Sequence, residues 1–325
     1  VKIYWRDRQG NKAPPNAIFS CYPFSSDHCI DFHGPYQIVQ ELPKPCYDLK
    51  IKNHQNLPSR ESWIQNIDKA LSLKLEKVVL ARRKSLELVE IPDPFAIASA
   101  LQEKSKGSFI FCIQKGNKAF IGASPERLFS RNQNEILTEA MAGTRPRGKT
   151  EKEDKLLQNE LLSSEKDLRE INPVQTFLRD RLSPFCITSP LFSPLSIHQT
   201  NTVQHLYSQA KAKLKTSISD YDILQAIHPT PALCGTPQIE AFRIIRELEP
   251  FERGLYGGVI GWRTEEASEW LVAIRSCFIE DRTVHLFSGA GIVHGSKGEE
   301  EWNELDHKLK LFKDIFSDTS SGLIC

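Results

Sequence analysis

Apolar positions recur at helical spacing over residues 62–75, and the pattern then changes to a continuous apolar run, Val78-Val-Leu-Ala81, that reads as a buried strand over 77–82. Asp93-Pro94 supplies the N-cap and first-turn chemistry for a helix running through residue 102. Two strands follow, over 108–114 and 119–123, joined by a turn at Lys115-Gly-Asn-Lys118. A further strand pair centres on Leu128 and Ile136. The charged stretch 150–182 is helical in pattern, with Pro173 expected to kink it. A helix over 221–227 is expected to be capped by Asp220, and Thr236-Pro237 to open the next, through residue 249. Three strand runs, 255–263, 269–280 and 283–287, lead to a last helix. Short polar turns between strands imply antiparallel pairing, so the fold class is α+β with large antiparallel sheets and helices packed outside, not a doubly wound parallel sheet. Residues 1–60, rich in proline and aromatics, read as an irregular N-terminal segment packed on a main domain over 61–325.

The junction before the last helix is the most informative stretch. A glycine-punctuated strand end, Phe287-Ser-Gly-Ala-Gly-Ile-Val-His-Gly-Ser296, runs into a helix with Glu301, Glu304 and Lys308 on one face. Trp302, Leu305 and Leu309 form an apolar stripe beside them, which puts the charges at the edge of the core, where they need partners. Taken alone, the helix fits two readings. One is a site for a metal and an anion; the other is a solvated face with a Glu304–Lys308 pair contributing ~0.3 kcal/mol. Three other segments have the same double character: Gly122-Ala-Ser-Pro-Glu126 at a strand end, Ser164-Glu-Lys-Asp-Leu-Arg-Glu170 on a helix, and the loop His228-Pro-Thr-Pro-Ala-Leu-Cys-Gly-Thr-Pro237.

Composition narrows the classes. With 42 basic and 41 acidic residues among 325, a net charge of +1 provides no field for nucleic acid or an anionic membrane. No apolar run approaches the ~20 residues of a membrane span, and the start VKIYWRDRQG has no signal-peptide core, so a soluble cytoplasmic protein is expected. The first residue is Val rather than Met, as in a processed form or a fragment. Eight scattered cysteines without a C-x-x-C pair are expected to be reduced.

Taken in order, Lys77-Val-Val-Leu-Ala-Arg82, Gly122-Ala-Ser-Pro-Glu126, Ala142-Gly-Thr-Arg-Pro-Arg-Gly148, Ser164 to Glu170, Val203-Gln-His205-Leu, His228-Pro-Thr-Pro-Ala-Leu233, Tyr256-Gly-Gly, Ala273-Ile-Arg275-Ser and Gly289-Ala-Gly-Ile-Val293 resemble the chorismate-utilising enzymes. That family includes isochorismate, salicylate, anthranilate and aminodeoxychorismate synthases. The resemblance runs from about residue 75 to 316 and implies a chorismate-binding fold. It further implies Mg²⁺ held by Glu170 and Glu304 with Glu301 nearby, carboxylates that suit this hard cation. Arg275, Tyr256 and Lys308 would bind the substrate's carboxylates, with backbone amides near Gly143-Thr144 and Gly289 to Gly291 completing the anion site. By the same resemblance, Glu126 is the general acid that protonates the departing C4 hydroxyl, and Lys77 the base that activates water for attack at C2. Each role requires a shifted pKa, upward for Glu126 and downward for Lys77, with Arg82 a candidate cation beside Lys77. His205 is similar to a family histidine that faces the ring; a structural histidine is the alternative.

Two positions separate members of the family. Ammonia-using relatives usually have a non-basic residue where this chain has Lys77, and the aminodeoxychorismate branch has a nucleophilic lysine where it has Ala142. Both imply water as the nucleophile and isochorismate as the product, ahead of salicylate. No amidotransferase subunit is then expected, and a monomer or weak homodimer suffices. The product could serve menaquinone, a catechol siderophore or salicylate.

Overall fold

A computed structural model describes residues 1–25, 30–32, 36–73, 75–200 and 203–318. Among them the chain builds two large sheets of ten and nine strands. The first runs, in spatial order, Leu49–Leu57, Lys77–Leu88, Thr283–Ile292, Ser276–Glu280, Lys118–Ser124, Phe109–Lys115 and Lys2–Arg6, these neighbours antiparallel, with a short parallel strand at each edge. The second runs Val203–Lys213, Glu135–Pro146, Arg127–Asn132, Ala267–Val272, Val259–Arg263 and Ile18–Tyr22, again antiparallel throughout. The α+β class with antiparallel sheets is therefore what the chain adopts.

An apolar layer between the sheets joins Ile3, Trp5, Phe109 and Phe111 of the first to Phe19, Cys21, Ile260 and Leu271 of the second. Helix α1 (Arg60–Ser72) is capped by Ser59, and Asp93 caps α2 (Pro94–Lys104) by accepting from the Phe95 amide. The largest cluster unites α1 with helices later in the chain and with strands of both sheets, through Trp63, Leu80, Val174, Leu224, Ile245, Trp270 and Leu305.

Four expectations change. The charged stretch is two helices, α3 (Glu151–Ser163) and α4 (Glu165–Leu182), and the break falls at Ser164 while α4 continues through Pro173. Ser164 turns extended and accepts from the Asp167 amide, so its hydroxyl restarts the helix. Ser219, not Asp220, caps α5 (Asp220–Ile227), in a capping box with Asp222. Asp220 instead takes Arg131 and the Trp270 indole. Residues 1–60 are not irregular: Lys2–Arg6 and Ile18–Tyr22 are integral strands, one in each sheet. Finally, the expected run 269–280 is two strands in different sheets, separated at Ala273 to Arg275, where Arg275 has φ 52°.

That crossing has a twin. Between Lys118–Ser124 and Arg127–Asn132 the chain also changes sheet, at Pro125-Glu126. The two crossings are bonded together: the Val272 amide donates to the Glu126 carbonyl (3.1 Å), the Ser124 hydroxyl to the Val272 carbonyl (2.7 Å), and the Ala123 amide to the Arg275 carbonyl (3.1 Å). Glu126 and Arg275, distant in sequence, thus come from adjoining corners of the fold. Helices α6 (Gln238–Leu248) and α7 (Gly298–Leu309) complete the chain. None of the described helices is long and apolar enough to cross a membrane. Cys46, Cys112, Cys186, Cys234 and Cys277 are free thiols; Cys29 and Cys325 lie outside the described residues.

Candidate active site

The site's floor is the pairing of Lys77–Leu88 with Thr283–Ile292. Alternate residues of a strand share a face, which puts Lys77, Val79 and Ala81 together, opposite Gly291 and Gly289 in register. These two glycines are required by what lies over them. A Cβ at residue 291 would come within 2.7 Å of the Lys77 Cε, and one at residue 289 within 2.9 Å of the Tyr256 hydroxyl. Tyr256 is held there by stacking on Phe287, with ring centres 5.0 Å apart and planes 13° from parallel.

From α7, Lys308 reaches down to donate to the Gly289 carbonyl at 2.7 Å, and it pairs with Glu304 at the same distance. Arg275 donates to the Lys308 carbonyl at 3.1 Å, tying its sheet crossing to the end of that helix. On the other wall, His205 Nδ1 lies 2.9 Å from the Gly143 carbonyl and 3.1 Å from the Thr144 hydroxyl. A carbonyl only accepts, so Nδ1 carries the proton and Nε2, buried and without a partner, presents a lone pair. Burial pushes the ring down to about 3, which keeps it neutral. Gly143 has φ 63°, and a side chain there would strike Asp167.

Charge binds these elements into one site. Lys77 is partly buried by surface, yet its ammonium is closely surrounded by protein atoms, and the crowding governs its proton. That burial lowers its pKa; Glu170 of α4, Glu304 of α7 and Glu126 pull it back up, while Lys308 lowers it further. Glu126, 7 % exposed, is raised from 4.5 to about 7, first by burial and next by Glu139, against the opposing charges of Arg8 and Lys77. Lys77 and Glu126 therefore lie close enough to feel each other's charge, and burial favours the uncharged form of each.

Arg82 is not part of this. It sits an odd number of residues from Lys77, so it points to the other face, 4.1 Å over the Trp302 ring and paired with Asp306 at 2.5 Å. The cation beside Lys77 is Lys308. Strand parity would have shown this in advance. Nor are Glu170, Glu301 and Glu304 gathered as a trio: among the described residues no group of three His, Cys, Asp or Glu side chains stands where it could hold a metal. Glu301 is buried on α7, while Glu170 and Glu304 are two of the three carboxylates that act on Lys77.

Residues 36–317 match the chorismate binding enzyme family. The chain belongs to that family. It is 39 % identical to isochorismate synthase 2, chloroplastic, of Arabidopsis thaliana, over 85 % of this chain and 50 % of that protein. It is 35 % identical to isochorismate synthase MenF of Haemophilus influenzae, over 86 % of this chain and 65 % of that protein. Among solved structures, MenF of Escherichia coli, described as the menaquinone-specific isochorismate synthase, superposes with a TM-score of 0.85 at 26 % identity, covering 94 % of this chain and 86 % of that one. The chain thus spans about half to two thirds of the length of the curated relatives it matches.

Among the family's members this chain also carries, around Glu126, neighbours that the motifs do not mark. Arg8, Arg127 and Glu139 form a buried ionic group behind Glu126. Arg8 lies before the matched region, in the segment read as irregular, and nothing in the sequence around it marks it. Glu139 heads the Ala142-Gly-Thr144 segment, just past the strand expected around Ile136, and an acidic residue within an apolar stretch was the only signal.

Proposed function

We propose that the chain is the catalytic part of an isochorismate synthase, converting chorismate to isochorismate by adding water at C2 and releasing the C4 hydroxyl. The observation that carries this is a pair of neighbouring groups that act on each other: an amine whose pKa is lowered by burial and a carboxyl raised to about 7. A general base and a general acid are needed together for this reaction, and each shift favours the form its role requires, the neutral amine for Lys77 and the protonated carboxyl for Glu126. The relatives named isochorismate synthase support the same product.

In this reading Arg275, Lys308 and the Tyr256 hydroxyl hold the substrate's two carboxylates, the guanidinium offering a paired contact. The alternate glycines leave the floor open for the ring. Neutral Lys77 takes a proton from water as its oxygen bonds to C2. Glu126 gives its proton to the C4 hydroxyl, which departs as water while the ring double bonds shift. Lys77 is then charged and Glu126 ionised, and exchange with solvent restores both. The His205 lone pair accepts a hydrogen bond from a substrate hydroxyl.

Glu170 and Glu304, converging on Lys77 from two helices, fit Mg²⁺ in its usual manner, with one or two protein carboxylates and the rest water and substrate. When bound, the ion would neutralise the ring carboxylate and draw electron density from the ring. Because the nucleophile is water, no amidotransferase subunit is required. The test is product analysis after incubation with chorismate and Mg²⁺. Isochorismate is expected, and its formation should stop when EDTA removes the metal. Salicylate with pyruvate would redirect the reading to a salicylate synthase, and the absence of both products would overturn it.

A further inference from the structure

The ionic group behind Glu126 has a geometry that packing alone does not require. Arg8 follows the strand Lys2–Arg6 and inserts a guanidinium whose side chain is only 10 % exposed. It donates to both carboxylate oxygens of Glu139, at 3.0 and 2.7 Å, and also to the Pro125 carbonyl, on the residue that precedes Glu126. Arg127, on the other side of Glu126, donates to Glu139 at 2.8 Å and to Glu269 at 2.8 Å. Both guanidiniums lie over the face of Phe109, at 4.7 and 5.2 Å from its centre. The sheet crossing that carries Glu126 is therefore gripped on each flank through a single carboxylate.

We infer that Arg8 and Glu139 are positioning residues for Glu126: by holding the Pro125 carbonyl and the Glu139 carboxylate at once, Arg8 fixes the turn that carries Glu126, with the two opposite charges set beside it. The inference rests on Glu126 being the general acid. It extends that reading to a residue outside the family-matched region 36–317.

The groups that face Glu126 are Lys77 from the floor, Arg8 from the N-terminal segment and Glu139 from the second sheet. Around Glu139 stand Arg127, Tyr207 and, more weakly, His198. Removing a nearby cation disfavours the carboxylate, and removing a nearby anion favours it. Arg8→Met should therefore raise the Glu126 pKa and Glu139→Gln should lower it, each by about one unit. Opposite shifts are the signature, because a general loosening of the turn would move both variants the same way.

Two readouts decide it. The first is the alkaline limb of kcat against pH for isochorismate formation. It should move up in Arg8→Met and down in Glu139→Gln, with kcat falling about tenfold at the optimum and KM nearly unchanged. The second needs no turnover: infrared titration of the Glu126 carboxyl, isolated by difference against Glu126→Gln, in the same two backgrounds. Arg8→Lys keeps the charge but cannot span carbonyl and carboxylate together. It should retain the wild-type limb with a reduced kcat. If the two titrations shift in the same direction, or neither moves, the inference is wrong. A protein that makes no isochorismate but shows opposite shifts would refute only the activity.

Discussion

Two glycines on one strand decide how closely Lys77 and Tyr256 can approach the sheet, and each can be tested with a single methyl. At residue 291 the added carbon would fall 2.7 Å from the Lys77 Cε, the far portion of a flexible side chain. The lysine gives way instead of the backbone, so Gly291→Ala should cost under about 1 kcal/mol of stability. Catalysis should suffer more: displacing the base by ~1 Å costs on the order of a hundredfold in kcat. Thermal unfolding and steady-state rates on the same preparation check both halves. Lys77→Ala should lower kcat by about a thousandfold, the scale of a lost general base, and leave substrate binding, measured calorimetrically, largely intact. Glu126 has a consequence for stability as well. Its folded pKa, about 7, lies above the ordinary 4.5. The folded protein therefore holds more protons than the unfolded chain between those values, and stability falls as pH rises through that window. Glu126→Gln removes the penalty. It should match the wild type below pH ~4.5 and exceed it by a few kcal/mol above pH ~7, a divergence that melting curves across pH would reveal or deny.

Between residue and fold stands the pair Glu249–Arg253, in which both side chains are 3 % exposed. On the strand Lys77–Leu88, the short strand Gly235–Thr236 pairs with Val78 and Lys77, and Leu49–Leu57 begins to pair only at Arg83. In the gap, side chains act as a strand: Glu249 accepts from the Ala81 amide at 2.7 Å, and Arg253 donates to the Val79 carbonyl at 2.7 Å and to Leu233 at 3.0 Å. Breaking a buried pair leaves an uncompensated charge, so Arg253→Met should destabilise by about 3–5 kcal/mol, read by denaturant unfolding. Elements of this kind set the limit of what the sequence discloses. The strand Lys77–Leu88 and helix α2 were legible because their apolar runs and caps are local. The break at Ser164 was hidden by an uninterrupted charge pattern, and the crossing at Arg275 by apolar residues on both sides of it. Periodicity reports which residues are buried; it does not report which of two sheets buries them. The residues of the site were legible through motifs, whereas Arg8 and the Glu249–Arg253 bracket become visible only in space.

The same limit applies to the first 35 residues, which precede the family-matched region. They contribute Lys2–Arg6 to the first sheet, Ile18–Tyr22 and the short Ile30–Asp31 to the second, and Ile3, Trp5, Phe19 and Cys21 to the layer between the sheets, all at most 3 % exposed. Tyr22 and Phe24, also buried, pack into the larger cluster. Burying six such side chains stabilises by on the order of 10 kcal/mol, as much as the whole net stability of an ordinary domain. A chain beginning at residue 36 would lose that contribution and leave Phe109 and Phe111 uncovered along an open strand edge, which invites pairing with another copy. Such a truncation should therefore fail to unfold cooperatively and should aggregate on expression, even though it retains nearly every residue matched to the family. Size-exclusion chromatography and calorimetry of the two lengths compare them directly. A monodisperse, cooperatively melting 36–325 chain would show that these strands are an appendage to the catalytic unit; its collapse would show that the sandwich supporting Glu126 is completed only from the N-terminal side.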